Sequence, residues 1–281
     1  MKDAAPRSAY LYVDHVAKRF PVTGGGASSG EQVTIFENLQ LGLERGEFLT
    51  VVGHSGCGKS TLLNLVAGFE SSDAGAVFLE GQQVTRPGIE RMVVFQSFAL
   101  MPWLTALDNV RLAVRSAHRD WSRQKVDAHA RKYLDLMGLE GAESKRPTHL
   151  SGGMRQRVGI ARAFSVEPKI LLLDEPFAQI DALTRGVIQE ELVRMWGATG
   201  STVLMVTHDV DEAILLSDRI ALMSRGPNSE IAEILPVKIP RPRTRAGLID
   251  DPEYSRLRAH ILRFLATGEG SPSEKKKAAV A

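Results

Sequence analysis

Short apolar runs alternate with helix-like patterns along most of this chain. Runs rich in Val, Ile, Leu and Phe predict strands, and they occupy residues 9–16, 33–36, 47–52, 91–95, 169–173 and 202–206. Apolar residues recur at helical spacing from Leu62 to Val66 and from Val126 to Met137, and a glycine stops each pattern. The alternation predicts an α/β fold with a small helical subdomain inserted in it.

One more helical pattern lies near the end of the chain. Asp251 and Pro252 form a helix start, as cap and first residue. We expect this helix to pack back on the domain through an apolar face. That face consists of Leu257, Ile261, Phe264 and Leu265.

The predicted organisation is one large domain followed by an extension and a tail. The domain spans 9–235, with the helical subdomain at about 97–163, and the extension with its amphipathic helix spans 236–267. The composition of 268–281, rich in Gly, Ser, Pro, Glu and Lys, predicts disorder. We expect the lysine run at 275–277 to be solvated, with a role at a membrane surface as the alternative.

Charge and cysteine content exclude several classes of protein. The formal net charge is +2, with basic and acidic residues interspersed, so nucleic acid is not an expected partner. Cys57 is the one cysteine, which excludes an intramolecular disulfide. The chain starts without a basic-then-apolar leader, and its apolar stretches fall short of the ~18 residues that a membrane helix needs. We therefore expect a protein of the reducing cytoplasm that does not itself cross a bilayer.

The strongest motif lies between a predicted strand and a predicted helix. Its pattern, G-x-x-x-x-G-K-[ST], is typical of loops that cradle phosphates, because glycines let successive N–H groups converge on an anion at a helix N-terminus. Lys59 would reach the β- and γ-phosphates, and the Ser60 hydroxyl would coordinate Mg²⁺. Cys57 has no assigned base beside it and is interpreted as a packing residue. The predicted phosphate-binding residues are Gly53, His54, Ser55, Gly56, Cys57, Gly58, Lys59, Ser60 and Thr61.

Phe20, at the end of the first predicted strand, is a candidate for stacking on an adenine ring. The alternative is a Phe that fills the core. A glycine-rich segment at 24–30, predicted to be a flexible loop, follows it.

The strand at 91–95 leads to Gln96, whose carboxamide suits contact with both Mg²⁺ and an attacking water. A polar residue that merely caps the strand is the alternative. The segment 98–104, which contains Trp103, is unusually apolar for one interrupted by proline. It is either core or a docking surface for another protein.

Two further strands end in polar side chains. Asp174 suits Mg²⁺, directly or through a water, and Glu175 suits polarisation of the attacking water. His208 follows the strand at 202–206, on the edge where α/β folds bind ligands, and suits donation to a γ-phosphate. A solvated turn and a structural histidine are the alternatives.

Residues 150–157, with the sequence LSGGMRQR, form the second strong motif. Glycines at a helix start place free N–H groups and the Ser151 hydroxyl at the positive end of a dipole, which makes a second anion site. One bound nucleotide does not need two such sites. We therefore expect this site to serve the γ-phosphate of a nucleotide held by another subunit.

Together these motifs resemble the full motif set of the ATP-binding cassette (ABC) ATPases, in the family's order, over about residues 9–235. The resemblance implies a P-loop NTPase fold with a mostly parallel sheet and a small N-terminal antiparallel β part. It implies ATP and Mg²⁺ as cofactors and a second ATPase subunit packed head to tail, so that Ser151 and Gly153 act in trans. Residues 177–180 depart from those usual in the family, but the aspartate that follows them, Asp181, is present. We therefore expect communication between the two subunits of the dimer to survive.

The resemblance also implies ATP hydrolysis, with Phe20 at the adenine ring. The implied catalytic residues are Glu175, His208, Gln96 and Lys59. The implied Mg²⁺ ligands are Ser60, Gln96 and Asp174.

A narrower resemblance is to importers for nitrate, cyanate, bicarbonate, taurine and alkanesulfonates, among which the nitrate/nitrite type is the most similar. It implies transmembrane permease subunits as partners, an indirect substrate-binding protein that is periplasmic or lipid-anchored, and a peripheral place at the cytoplasmic face of the inner membrane. None of the residues that carry it would touch the anion. Those residues are 100–105, 181–185, 206–213, 225–227, 239–243 and 251–254.

Rival classes make different demands on the sequence. A soluble ABC protein of translation or DNA repair would need a second cassette or a long coiled-coil insertion. A P-loop kinase or GTPase would lack the motif at 150–156 and would carry a base-recognition motif. A non-hydrolysing regulatory subunit is a third alternative, which a phosphate-release assay decides.

Overall fold

The computed structural model describes residues 9–21 and 32–267. The predicted loop at 24–30 and the predicted tail at 268–281 lie outside the described residues. The strands are β1 (Leu11–Pro21), β2 (Gln32–Leu43), β3 (Phe48–Val52), β4 (Ala74–Leu79), β5 (Gln82–Gln83), β6 (Arg91–Val94), β7 (Ile170–Asp174), β8 (Thr202–Thr207), β9 (Arg219–Met223) and β10 (Ile231–Pro236). The helices are α1 (Lys59–Ala67), α2 (Ala106–Ala117), α3 (Arg123–Leu136), α4 (Gly152–Phe164), α5 (Ala182–Thr199), α6 (Val210–Leu216), α7 (Arg245–Ile249) and α8 (Pro252–Thr267), with a 3-10 turn at Pro147–His149.

The chain divides into two units, Met1–Pro87 with Met205–Ala281, and Gly88–Leu204. In the first unit, β1 lies between β2 and β4 in an antiparallel sheet of order β2-β1-β4-β5. Leu11 is therefore opposite Leu43 on one side and Leu79 on the other. Also in this unit, β9 pairs in parallel with β3 and antiparallel with β10.

The second unit contains a parallel strand pair and a group of helices. Strands β6 and β7 run parallel, with Arg91 opposite Ile170. Helices α2, α3 and α4 pack on one another. Strands β3 and β7 are buried along the residues that precede their loops, which explains why both appear in the sequence as continuous apolar runs.

Every predicted strand is present, and the predicted helix in the middle of the chain is confirmed as α3. Ser122 caps α3 by accepting a hydrogen bond from the Lys125 N–H at 3.2 Å. Helix α2 is not among the predicted elements, although its start signal is present in the sequence. The Thr105 hydroxyl accepts from the Asp108 N–H at 3.1 Å.

The C-terminal extension is held on α6 and β9 by two arginines. Arg241 donates to the Asp218 carboxylate at 2.8 Å and to the Leu216 carbonyl at 2.6 Å. Arg243 donates to the carbonyls of Ile214 and Ser217 at 3.0 and 2.6 Å. Burial, with Arg241 nearby, lowers the pKa of the Arg243 guanidinium to about 10.

Helix α8 begins where the sequence predicts. The Asp251 carboxylate accepts from the N–H groups of Glu253 and Tyr254 at 2.8 and 3.1 Å. The helix packs on α6 and buries its apolar face, with Leu265 only half-buried. Among the described helices, none is both long and apolar enough to span a membrane.

Candidate functional site

The phosphate loop is shaped by steric limits at two of its glycines. Gly58 has φ of +100°, and a Cβ there would lie 2.5 Å from Cγ2 of Ile35. A Cβ on Gly53 would lie 2.8 Å from Sγ of Cys57 and 3.0 Å from the Met223 carbonyl. The loop therefore folds as it does only because these two residues lack side chains.

Helix α1 starts at this loop without a side-chain cap. Its N-cap is Gly58, so no side chain occupies the first N–H groups of the helix. These groups and the positive end of the helix dipole are the elements of an anion site. Ser60, in the first turn of α1, is exposed and presents a hydroxyl at the same end.

Lys59 is 5% exposed, and its ammonium lies inside the loop. It donates to the carbonyls of Gly53 and His54, each at 2.9 Å. Because an ammonium has three N–H donors, two of them hold the loop and the third is available to an anion. The lysine thus contributes both to the shape of the loop and to its positive charge.

Cys57 is buried, and burial raises the pKa of its thiol. A protonated thiol in this place is a poor nucleophile and a small packing group. This agrees with the packing role expected for it.

Phe20 lies near the end of β1 with its ring half-exposed, and it is not part of the buried core. The ammonium of Lys18 lies 4.8 Å from the centre of the ring. Lys18 is itself held by the Glu70 carboxylate and the Ser71 carbonyl, both at 2.9 Å. The ring is therefore partly accessible, and its stacking on a base stays a prediction.

His208 occupies a turn whose two neighbours are both anchored. The hydroxyl of Thr207 donates to Glu212 at 3.1 Å and accepts from the Asp209 N–H at 3.0 Å. The Asp209 carboxylate caps α6 through the N–H groups of Asp211 and Glu212. The exposed imidazole of His208 is therefore carried on a rigid turn at the end of β8.

In the second unit, the paired carboxylates lie at the end of β7. The strand is buried through Leu173, after which Asp174 and Glu175 are half-exposed. Glu175 adopts φ of +44°, a left-handed conformation that is costly for a residue with a Cβ. Gln96 is exposed in the turn that follows β6, the parallel neighbour of β7.

The second motif forms the start of α4. The Ser151 hydroxyl caps the helix by accepting from the Met154 N–H at 3.2 Å. Gly153 is buried, and a Cβ there would lie 2.4 Å from Cγ2 of Thr184 in α5. Within this chain, Gly153 therefore permits the close approach of α4 and α5.

Two arginines of α4 hold the segment that follows Gln96, and the sequence analysis does not single them out. Arg162 donates to the Ala99 carbonyl at 2.7 Å, and the Arg155 guanidinium stacks 5.3 Å from the ring of Phe98. Phe98 and Ala99 both have positive φ, so this segment is bent and then fixed by α4. In the sequence, the only sign of a role for Arg155 and Arg162 was their position in the helix that begins at the second motif.

The segment 98–104 divides between the two alternatives predicted for it. Phe98 is 9% exposed and belongs to the core of its unit. Trp103 is 67% exposed, which is exceptional for a tryptophan. One end of the segment is therefore core and the other is surface.

Each unit collects part of the predicted site. The first carries Phe20, the phosphate loop at 53–61 and His208. The second carries Gln96, Ser151, Gly153, Asp174 and Glu175.

Comparison with known families shows which family carries this set of motifs. The family model described as ABC transporter matches residues 36–178, which include the phosphate loop, the second motif and the paired carboxylates. The chain belongs to the ABC transporter family.

Relatives of this ABC protein extend the match to nearly the whole chain. The nitrate import ATP-binding protein NrtD of Synechococcus elongatus is 47% identical over 266 residues, covering 93% of each chain. The bicarbonate transport ATP-binding protein CmpD of Synechocystis sp. is 46% identical, covering 92% of this chain and 89% of the relative. The chain spans only 38% of the bicarbonate transport ATP-binding protein CmpC of Synechococcus elongatus, at 49% identity.

A solved structure confirms the fold class. The ATP-binding cassette MJ0796, described as a dimer in a post-hydrolysis state bound to ADP and Pi, matches with a TM-score of 0.71 at 29% identity. The match covers 82% of this chain and 99% of that chain. With the family assignment, it identifies the ABC protein as an ATPase of the P-loop class.

The oxygen donors among the predicted residues fit the chemistry of Mg²⁺. The exposed Ser60 hydroxyl of the first unit and the half-exposed Asp174 carboxylate of the second are each of the hard type that this ion prefers. Among residues 9–21 and 32–267, no group of three or more His, Cys, Asp or Glu is arranged to hold a metal. An ion brought by a nucleotide needs no such group.

Gly153→Ala tests the packing of α4 on α5. We expect the unfolding midpoint to fall, because overpacking costs about 1–3 kcal/mol and exceeds the roughly 0.5–1 kcal/mol that alanine gains over glycine inside a helix. Thr184→Ser removes the Cγ2 methyl group with which the new Cβ would clash. The thermal unfolding midpoint of the double variant should therefore return most of the way to that of the wild type. Thr184→Ser alone is the control, and a Gly153→Ala protein as stable as the wild type contradicts the contact.

Proposed function

We propose that this chain is the ATP-hydrolysing subunit of a nitrate importer, working in a head-to-tail dimer. The observation that carries the proposal is the 47% identity with NrtD along 93% of both chains. Bicarbonate is the second candidate, because CmpD is 46% identical over 92% of this chain. NrtD is favoured over CmpD because both its identity and its coverage are higher, and over CmpC, which is 49% identical, because this chain spans only 38% of CmpC. Taurine, alkanesulfonates and cyanate follow as cargo alternatives, and a non-transport ABC ATPase is the alternative from another class.

The proposed chemistry depends on position and charge. Lys59 and His208 neutralise phosphate charge while Glu175 and Gln96 place and polarise the attacking water. Ser60, Gln96 and Asp174 would hold Mg²⁺ together with the nucleotide, and the ion would supply further charge neutralisation. The exposure of His208 and Gln96 and the half-exposure of Glu175 support these roles, since each side chain is accessible to a ligand.

The proposed dimer uses the start of α4 in trans. Ser151 is exposed at the positive end of a thirteen-residue helix, where its N–H groups and dipole favour an anion. The dimeric state of the similar cassette MJ0796 supports this arrangement. ATP binding then closes the two subunits on each other, and hydrolysis lets them part.

Transmembrane permease subunits are the proposed partners, with a periplasmic or lipid-anchored binding protein as an indirect one. Trp103, at the exposed end of the segment after Gln96, is the proposed contact with the permease. Motion at Gln96 would reach Trp103 through a segment that Arg162 and Arg155 keep bent. The chain would then lie at the cytoplasmic face of the membrane as a peripheral subunit.

Glu175→Gln tests the catalytic assignment. We expect ATP to bind as it does to the wild type while phosphate release falls about 10²-fold or more, because the amide cannot accept the proton of the attacking water. Equilibrium ATP binding and steady-state phosphate release measure the two effects. Glu190→Gln, at an exposed position of α5, is the matched control, and near-normal hydrolysis by Glu175→Gln would remove Glu175 from the mechanism.

The cargo is tested by uptake of labelled nitrate in cells whose own copy of the gene is replaced by the wild type or by Lys59→Ala. We expect uptake with the wild type and none with the variant, because the loop then loses the cation that meets the phosphates. Labelled bicarbonate is tested in parallel. Bicarbonate uptake without nitrate uptake would replace the cargo and leave the ATPase assignment intact.

Trp103→Ala tests the permease contact. We expect ATPase activity of the isolated subunit to stay unchanged and co-purification of the membrane subunits to weaken several-fold, because a large aromatic anchor is lost. Ile249→Ala, at an apolar position that is 70% exposed in α7, is the control. Undiminished co-purification of the permease with Trp103→Ala would count against this contact.

A further inference from the structure

The end of helix α8 touches the phosphate loop. Nε2 of His54, the second residue of the loop, lies 2.5 Å from the carbonyl oxygen of Leu265. A carbonyl oxygen only accepts hydrogen bonds, so the Nε2–H of the imidazole is the donor. The last four carbonyls of a helix have no partner within it, and Leu265 contributes one of them. The loop thus supplies a hydrogen bond that the end of the helix otherwise lacks.

The other end of α8 holds the helix that follows His208. The Asp211 carboxylate, in the first turn of α6, accepts from the Tyr254 hydroxyl at 2.9 Å and from Nε of Arg258 at 2.7 Å. This ion pair raises the pKa of the Arg258 guanidinium. Both contacts are to Asp211, which lies three residues beyond His208 in the sequence.

Between these two ends, α8 is fixed by buried side chains and by one side-chain hydrogen bond. Leu257, Ile261 and Phe264 are at most 2% exposed, and the His260 ring bonds to the Glu233 carboxylate of β10 at 2.8 Å. From Tyr254 to Leu265 the helix rises about 16 Å at 1.5 Å per residue, and it is fixed along this length.

We propose that α8 is a positioning element of the nucleotide site and that His54 is the positioning residue through which it acts. The His54 side chain is engaged with the helix and acts through the loop backbone. Its neighbour Lys59 bonds to the His54 carbonyl, so fixing His54 also fixes the lysine. A loop already held in its binding conformation loses less conformational freedom when a nucleotide binds, which strengthens binding. The inference rests on the ATP-binding role given to the loop above.

Equilibrium binding of MgATP to the purified full chain tests the inference. We expect His54→Ala to weaken binding about three- to tenfold, the range that one hydrogen bond supplies. In steady-state hydrolysis the loss should fall on KM for ATP more than on kcat. His54→Gln keeps an N–H donor within reach of the carbonyl and should restore most of the affinity.

His129→Ala is the matched control, because it removes another hydrogen bond from a histidine Nε2 to a backbone carbonyl, that of Ser165 at 2.9 Å, which involves neither α8 nor the phosphate loop. It should bind MgATP as the wild type does. If His54→Ala binds as tightly as the wild type, or if His129→Ala loses as much affinity, the inference is overturned. A wild type that does not bind MgATP would instead refute the proposed function.

A measurement on the wild type alone keeps the inference testable where a variant fails to fold. Coupling is reciprocal, so a nucleotide that is bound more tightly because of α8 must also stabilise the docked helix. MgATP should slow hydrogen exchange of the amides in the last turn of α8 and not in α7. Unchanged exchange in that turn would contradict the coupling.

Discussion

The absence of a side chain at Gly58 is the constraint on which the nucleotide site depends. A left-handed conformation costs a residue with a Cβ roughly 1–2 kcal/mol, and here the Cβ would also enter the space of Ile35 and Phe36. Both of these residues belong to β2, so the antiparallel sheet determines the shape of the phosphate loop. Because a glycine cap leaves the first N–H groups of α1 open, the same residue that satisfies the packing also creates the anion site.

Several contacts that shape the candidate site are made by residues beside the predicted catalytic and binding groups, although Lys59 and Ser151 also hold their own loop and helix. Thr207 and Asp209 anchor the turn around His208, while the imidazole itself stays exposed. Gly153 lets α4 approach α5, and Ser151 remains exposed at the helix start. His208 and Ser151 are thus accessible to a ligand while the backbone around them is fixed.

The sequence predicted many of the elements and the separate motifs of the candidate site, because both follow from local patterns. Apolar runs and glycine stops predicted the strands and α3, and the spacing of the loop motif predicted the start of α1. The structure adds contacts between residues far apart in the chain. His54 and Leu265 are separated by more than 200 positions in the sequence. Because every residue has a backbone carbonyl, the identity of Leu265 gives no sign of this contact. Arg162 was equally hidden, since its partner is the Ala99 carbonyl.

Two of the segments that carried the narrower resemblance, 239–243 and 251–254, make structural contacts. The guanidinium groups of Arg241 and Arg243 donate hydrogen bonds to backbone carbonyls and to the Asp218 carboxylate. These bonds fasten the extension to α6 and to the turn before β9. Asp251 caps the helix that the extension then presents to the phosphate loop. None of these groups is available to select a transported anion. These segments therefore hold the extension and α8 beside the phosphate loop, and under the proposed function the choice of cargo would fall to other subunits.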